Sequence, residues 1–200
     1  MSAAERSQAL YHEGQAALLR GKTEEALRHL RSSLEIAQRS RHREAAAAGH
    51  HAIAMIHIGQ ERWREALGHM EAALAADREI LKEAKEKGRD EKTLHALEAK
   101  VAADLNDLAR LHRRLGEPRA ALDRLQEMLA IDLRLDRAQG AAITHNNIAR
   151  ILLALDEFAE AERHYKASLA LFEKLGDTER AREVRRGLAL LEAVRQRSRR

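Results

Sequence analysis

The feature that most restricts how this chain can fold is an alanine that keeps returning in the same company. Ala26, Ala66, Ala121 and Ala161 each follow a short polar turn and open an amphipathic run, at spacings of 40, 55 and 40 residues. The fullest copy runs from Gly140 to Asp177. Within it apolar residues recur three and four apart on both sides of Asp156, the pattern of two helices joined by a tight turn. Ala149, Ala161 and Ser168 stand where large side chains would hold two crossing helices apart, and Ile148, Leu152, Phe158, Tyr165 and Leu169 are expected to fill the space around them. Such a hairpin has an apolar face that it cannot bury alone. Stacked copies bury it, so the chain reads as a helical repeat protein.

Three columns of small residues align between the copies. They are Gly14, Ala54, Ala109 and Ala149 in the first helix, Ala26, Ala66, Ala121 and Ala161 in the second, and Ser33, Ala73, Met128 and Ser168 further along the second, broken at Met128. On these residues the chain resembles the tetratricopeptide repeat, in the long-repeat branch found in kinesin light chains and in the G-protein-modulator spindle proteins. The resemblance implies an all-α, right-handed superhelical solenoid of antiparallel helix hairpins. Four repeats are expected at about 3–40, 43–88, 90–138 and 140–176, with a capping helix over 178–197, forming a single domain over 1–200.

Local signals fill in the outline. Gly21 is expected to end the first helix and Thr23 to cap the second, and Pro118 suits a helical first turn, where its missing N–H costs nothing. The corner Gly59–Trp63 is expected to be two residues longer than its counterpart Leu155–Phe158. The fifteen extra residues of the middle period fall around Ile80 to Leu97; they read as helix up to a stop at Gly88 and restart with Asp90 as N-cap. Shared between two antiparallel helices, they add about two turns to each. Ile80, Leu81, Leu94 and Leu97 are expected to close the hairpin tip on one another.

Composition narrows the function classes. Hydrophobic residues make up 44% of the chain and aromatics 2%, with a single proline, which favours close-packed helices over strands. Cysteine is absent, excluding disulfides, thiol catalysis and thiolate metal sites. The start lacks the apolar core of a signal peptide, and no run approaches the roughly 18 apolar residues of a membrane span, so a cytoplasmic protein without a membrane partner is expected. From residue 178 onward there are eight Arg and three Glu, so the net charge of +4 is concentrated on the last helix. No aromatics interleave with these arginines; they read as a solubilising cap ending in a frayed Arg-Ser-Arg-Arg, and nucleic acid is not an expected partner. There is no phosphate-cradling glycine loop, no Ser-His-Asp set and no enclosed carboxylate pair, so no enzyme and no cofactor are expected. Of eleven histidines none are spaced four apart, and His50 and His57 share a face about 10 Å apart along it, too far for one ion, so no metal is expected either.

Within this family the first helices line the concave side. Register places Tyr11, His51, Asn106 and Asn146 in one column, Gln15, Met55, Arg110 and Arg150 one turn on, and His12, Ala52, Asp107 and Asn147 beside them. Asn106 with Arg110, and Asn146 with Arg150, are four apart and share a helix face. In the long-repeat relatives, asparagines of this region clasp the backbone of an extended peptide and arginines take its acidic side chains. The resemblance therefore implies a peptide-binding groove of Tyr11, Gln15, His51, Met55, Asn106, Arg110, Arg113, Asn146, Asn147 and Arg150, amide-rich and cationic toward the C-terminal half and more apolar toward the N-terminal half. The expected function is that of a non-catalytic adaptor holding an extended or helical, acidic segment of another protein. An alternative is a self-assembling scaffold, a homo-oligomer built through the 78–99 hairpin and the open solenoid ends; a third is nucleic-acid contact through the last helix.

Overall fold

The computed structural model describes residues 1–197, and the described residues form nine helices and no strand. These are α1 (Ala3–Leu19), α2 (Thr23–Arg39), α3 (Arg43–Gly59), α4 (Trp63–Glu86), α5 (Glu91–Arg114), α6 (Pro118–Arg134), α7 (Ala138–Ala154), α8 (Phe158–Lys174) and α9 (Thr178–Arg197). Most of the expected frayed end, residues 198–200, lies outside the described residues. Among those described, no helix is long and apolar enough to cross a membrane. The chain divides into two compact units, one of Met1–Leu115 holding α1 to α5, the other starting at Gly116 and holding α6 to α9.

The eight connections between the described helices share one backbone feature. One residue in each adopts the left-handed conformation: Gly21, Arg41, Glu61, Gly88, Gly116, Asp136, Asp156 and Gly176, with φ between 50° and 74°. Within each unit the next residue turns its N–H back to a carbonyl in the last helical turn. Lys22 donates to Ala17, Arg62 to His57 and Glu157 to Leu152, each at 2.9 Å, which satisfies a carbonyl that the helix end would leave bare. Two sequence expectations are corrected by this repeat of geometry. Gln60-Glu61-Arg62 and Leu155-Asp156-Glu157 are equal in length and conformation, because α3 extends through Gly59. Thr23 is not a cap: the reversal puts Lys22 at the N-cap without a side-chain hydrogen bond, and Thr23 is already inside α2.

Within each unit the small-residue columns lie at the helix crossings. Ala26, Ala66, Ala121 and Ala161 are fully buried, and Ala54, Ala109 and Ala149 nearly so. A methyl group on Gly14 would sit 2.8 Å from Leu30 Cγ, so the close approach of α1 and α2 requires glycine there. Ser33 donates to the Ser7 carbonyl at 2.6 Å while Ser7 donates to the Ser33 carbonyl at 2.9 Å, and Ser168 donates to the Ala142 carbonyl at 2.7 Å. Backbones must be near for such bonds to form. Met128, which breaks its column, is only half-buried. Ile148, Leu152 and Tyr165 are buried as expected, whereas Phe158 and Leu169 are half-buried and Phe172 fills the core of the unit instead.

In unit 1, α4 and α5 are 24 residues each where α1, α2 and α3 are 17, so the long hairpin has the expected dimensions. Asp90 caps α5, accepting from the Thr93 N–H at 2.9 Å and from its hydroxyl at 2.7 Å. The tip closes differently from the expectation, for Ile80, Leu81, Leu94 and Leu97 are only half-buried. Charged pairs do much of the joining: Lys85 meets buried Glu98 at 2.8 Å, and Lys100 meets buried Asp77 at 2.7 Å. In unit 2, α9 rests on α8 through Gly187, where a methyl group would lie 2.6 Å from a Tyr165 ring carbon. Ala181 is buried like its counterpart Ala141, but Ala189, matched to buried Ala149, is exposed, since no described helix follows to cover it. Arg180, Arg185 and Arg195 pair with Asp177, Glu173 and Glu162 at 2.9, 2.6 and 3.3 Å, so part of the basic excess of the cap is already balanced.

The shared reversal makes a stability prediction. A side chain in the left-handed region costs on the order of 1 kcal/mol relative to glycine, so Glu61→Gly should raise the urea midpoint and Gly21→Ala should lower it. Equal midpoints for all three proteins would show that the left-handed residue carries no strain.

Candidate functional site

Unit 1 brings most of the sequence-predicted site residues onto α1, α3 and α5. Tyr11 is half-buried and packs against the core of Leu27, Leu30, Leu34 and Ile53. With Ser7, Gln8 and Ala48 it borders a cavity of about 360 Å³, walled by α1 and the start of α3. Gln15, one turn on, is exposed, its carbonyl oxygen 3.4 Å from His12 Nδ1.

The surface between α3 and α5 is more structured. A pocket of about 120 Å³ is lined by Met55, Ile58, Trp63 and Leu111, with Asp107, Arg110 and Arg114 at its polar edge. Met55 is 45% exposed, an apolar side chain left open to solvent. The Arg114 guanidinium lies over the Trp63 ring, 5.5 Å from its centroid, a cation–π contact that holds it at the rim. Arg110, Arg113 and Arg114 together border a further polar cavity of about 360 Å³. Asn106 is half-buried on the same helix.

Charges across this surface are linked. His51 Nε2 is 3.8 Å from the Asp107 carboxylate, and Arg110 reaches the other Asp107 oxygen at 3.4 Å. The Asp107 carboxylate beside it holds the His51 imidazole above its usual pKa, against the opposing effect of burial. Behind it, burial and then the neighbouring Asp77 carboxyl push the Asp104 carboxyl well above the carboxylate range, so the fold encloses a carboxylate pair where the sequence offered none, its members lying on different helices. Register had set Asp107 in a neighbouring column and outside the site; its three-residue spacing from Arg110 was the available signal for including it. In unit 2, Asn146 and Asn147 are half-buried on α7 and Arg150 is exposed beside them, the same amide and guanidinium types on another first helix.

The histidines form contacts that spacing along one helix could not reveal. His50 of α3 and His69 of α4 meet Nδ1 to Nδ1 at 3.0 Å, and His145 of α7 and His164 of α8 do the same at 2.9 Å. Each pair joins positions 19 residues apart across a hairpin. The Gln38 side-chain nitrogen can only donate to His50 Nε2, 3.2 Å away, so His50 carries its proton on Nδ1 and gives it to His69. Burial, and then the charge of the partner ring, pull His69 and His145 down to about 4; burial likewise lowers His50 and His164. Among the described residues no group of three or more His, Asp or Glu side chains is placed to hold a metal ion.

Two tetratricopeptide repeat family models match the chain, one over residues 5–79 and the other over residues 101–131 and 142–175. No curated protein sequence matches it. Among solved structures it resembles the apo form of RapI, with a TM-score of 0.78 and 16% identity over 98% of this chain and 51% of that one. It also resembles a signal transduction ATPase with numerous domains from Pyrococcus horikoshii, described as having a tetratricopeptide repeat sensor, with a TM-score of 0.70 and 16% identity over 92% of this chain and 26% of that one. A third is a Podosopora anserina putative kinesin light chain with nearly identical repeats, at TM-score 0.62 and 17% identity over 98% of this chain and 100% of that one. At these identities the likeness is one of fold. The chain spans about half the length of RapI and about a quarter of the ATPase.

The histidine pairs give a pH prediction. Folded pKa values below the unfolded value of about 6.5 mean that their stabilising contribution is present above pH 6.5 and is lost as pH falls toward 4. Raised groups such as Asp104, Asp132 and His51 act in the opposite sense, so the contrast between variants is the informative quantity. A His69→Gln, His164→Gln double variant should lose less stability than the wild type between pH 7 and about pH 4.5 in urea unfolding. Parallel losses would show that the pairs do not titrate on folding.

Proposed function

Because the chain belongs to the tetratricopeptide repeat family, whose members hold other proteins, we propose that it is a non-catalytic adaptor that captures an extended or helical, acidic segment of a protein partner. The observation that supports this most is the α3–α5 pocket, where an apolar floor of Met55, Ile58 and Leu111 is bordered by Arg110 and Arg114, with Arg113 beside them. An open apolar pocket beside guanidinium groups suits a ligand with an aliphatic side chain and a neighbouring carboxylate. Tyr11, at the cavity shared by α1 and α3, offers an apolar seat, and Gln15 of α1 and His51 of α3 are accessible polar residues of the same two helices.

Residue types divide the work. A guanidinium forms charge-assisted, paired hydrogen bonds with a carboxylate, each contributing roughly 1.5 to 3 kcal/mol before salt screening. The Asn106 side chain can both donate to and accept from a peptide backbone, holding a ligand whatever its sequence. Asn146, Asn147 and Arg150 equip α7 of unit 2 in the same way. Self-assembly through the 78–99 hairpin has less support, because Lys85 and Lys87 find carboxylates within that hairpin. Arginine pairing within unit 2 likewise weakens a nucleic-acid role for the cap.

Charge reversal tests the reading. Arg110→Glu with Arg113→Glu should reduce affinity for an acidic partner peptide by at least tenfold while circular dichroism stays that of the wild type. Asn106→Ala should weaken acidic and neutral peptides alike. Unchanged affinity in the double Arg→Glu variant would move the binding surface away from α5.

A further inference from the structure

Asp107 sits among the arginines that the proposed function assigns to an acidic ligand, and it is already in contact with one of them. Its carboxylate lies 3.4 Å from Arg110 and 3.8 Å from His51, and it forms part of the wall of the pocket that Met55, Ile58, Trp63 and Leu111 line. The side chain is 22% exposed against 70% for Arg110, so the carboxylate is held on the wall while the guanidinium reaches out. Arg114 is committed to the Trp63 ring, and Arg113 is exposed at the cavity outside the pocket.

We infer that Asp107 is a specificity-determining residue that fixes the order of charge in the ligand, a role that rests on the peptide-binding reading above. A ligand carboxylate entering the pocket to reach Arg110 must displace one carboxylate while lying within a few ångströms of it, in surroundings where like charges repel strongly. An aliphatic side chain in the same pocket meets no such opposition. The preferred segment therefore carries an aliphatic residue for the pocket and its acid displaced toward Arg113, and a uniformly acidic segment is discriminated against. Specificity of this kind comes from an unfavourable contact with the wrong ligand as much as from a favourable one with the right ligand.

Two fluorescein-labelled probes test this on the full chain: hexaglutamate, and a six-residue peptide alternating leucine and glutamate. Fluorescence anisotropy should show the wild type preferring the leucine-containing probe. Asp107→Asn, which keeps the size of the side chain and removes its charge, should bind hexaglutamate about tenfold more tightly and so reduce that preference. Asp107→Ser serves as the second variant, with thermal melts of both confirming the fold. A purely structural role for Asp107 would weaken both probes together, and a role in holding Arg110 ready for an acid would weaken hexaglutamate; either result overturns the inference. In both cases loss of binding in Arg110→Glu leaves the peptide-binding reading standing. Should neither probe bind the wild type or the Asp107 variants, or should Arg110→Glu bind both as the wild type does, the reading and the inference fall together.

Discussion

Two antiparallel helices can approach closely only if the residues at their crossing carry no more than a methyl group or a small hydroxyl, and this chain meets that condition within each of its two units. Ala26, Ala66, Ala121 and Ala161 have no accessible surface, and the residues of the first-helix column, from Gly14 to Ala149, are buried with them. Close approach brings backbone carbonyls within reach of Ser33 and Ser168, so hydrogen bonds reinforce the packing. It also keeps the apolar layer thin. Large buried side chains such as Leu30, Ile53 and Met70 in unit 1 and Ile148, Tyr165 and Phe172 in unit 2 lie between neighbouring helices, and each hairpin draws stability from its neighbours rather than from a central core.

The second constraint is the repeated left-handed reversal. Because every connection within a unit carries one residue in that conformation and a bond from the next N–H back into the helix, consecutive helices of each unit alternate direction by one shared device. In unit 1 this leaves α1, α3 and α5 as equivalent first helices. Their buried faces carry small and aliphatic residues such as Gly14, Ala17, Ile53, Ala54, Leu105 and Ala109, with Ser7, His57, Asp104 and His112 among them, while Tyr11, His51, Met55, Asn106 and Arg110 are left at least partly accessible. The surface open to a ligand is what the packing of the hairpins did not consume.

Helix content, the small-residue columns, the long hairpin and the Asp90 cap were legible in the sequence because each depends on neighbours along one chain segment. Thr23 and the Gly59–Trp63 corner were misread for a related reason. A residue in the left-handed conformation need not be glycine, and with Glu61 and Asp156 in that place the sequence hid two identical turns. Pairings across helices were out of reach. His50 with His69, Ser7 with Ser33, and His51 with Asp107 depend on crossing geometry and rotamer, which residue spacing does not encode. Asp107 was hidden for that reason: its spacing showed its contact with Arg110 but could not show that His51 lies on its other side.

The central claim is that the accessible faces of the first helices of unit 1 form the binding surface. Amide chemical-shift mapping on titration with the alternating leucine and glutamate peptide tests it most directly, since it reports on each residue without altering any of them. The account predicts that the largest shifts fall at His51, Met55, Asn106, Asp107, Arg110 and Arg113, with smaller ones at Tyr11 and Gln15. Shifts concentrated on α2, on the tip of the α4–α5 hairpin or on α9 would contradict it.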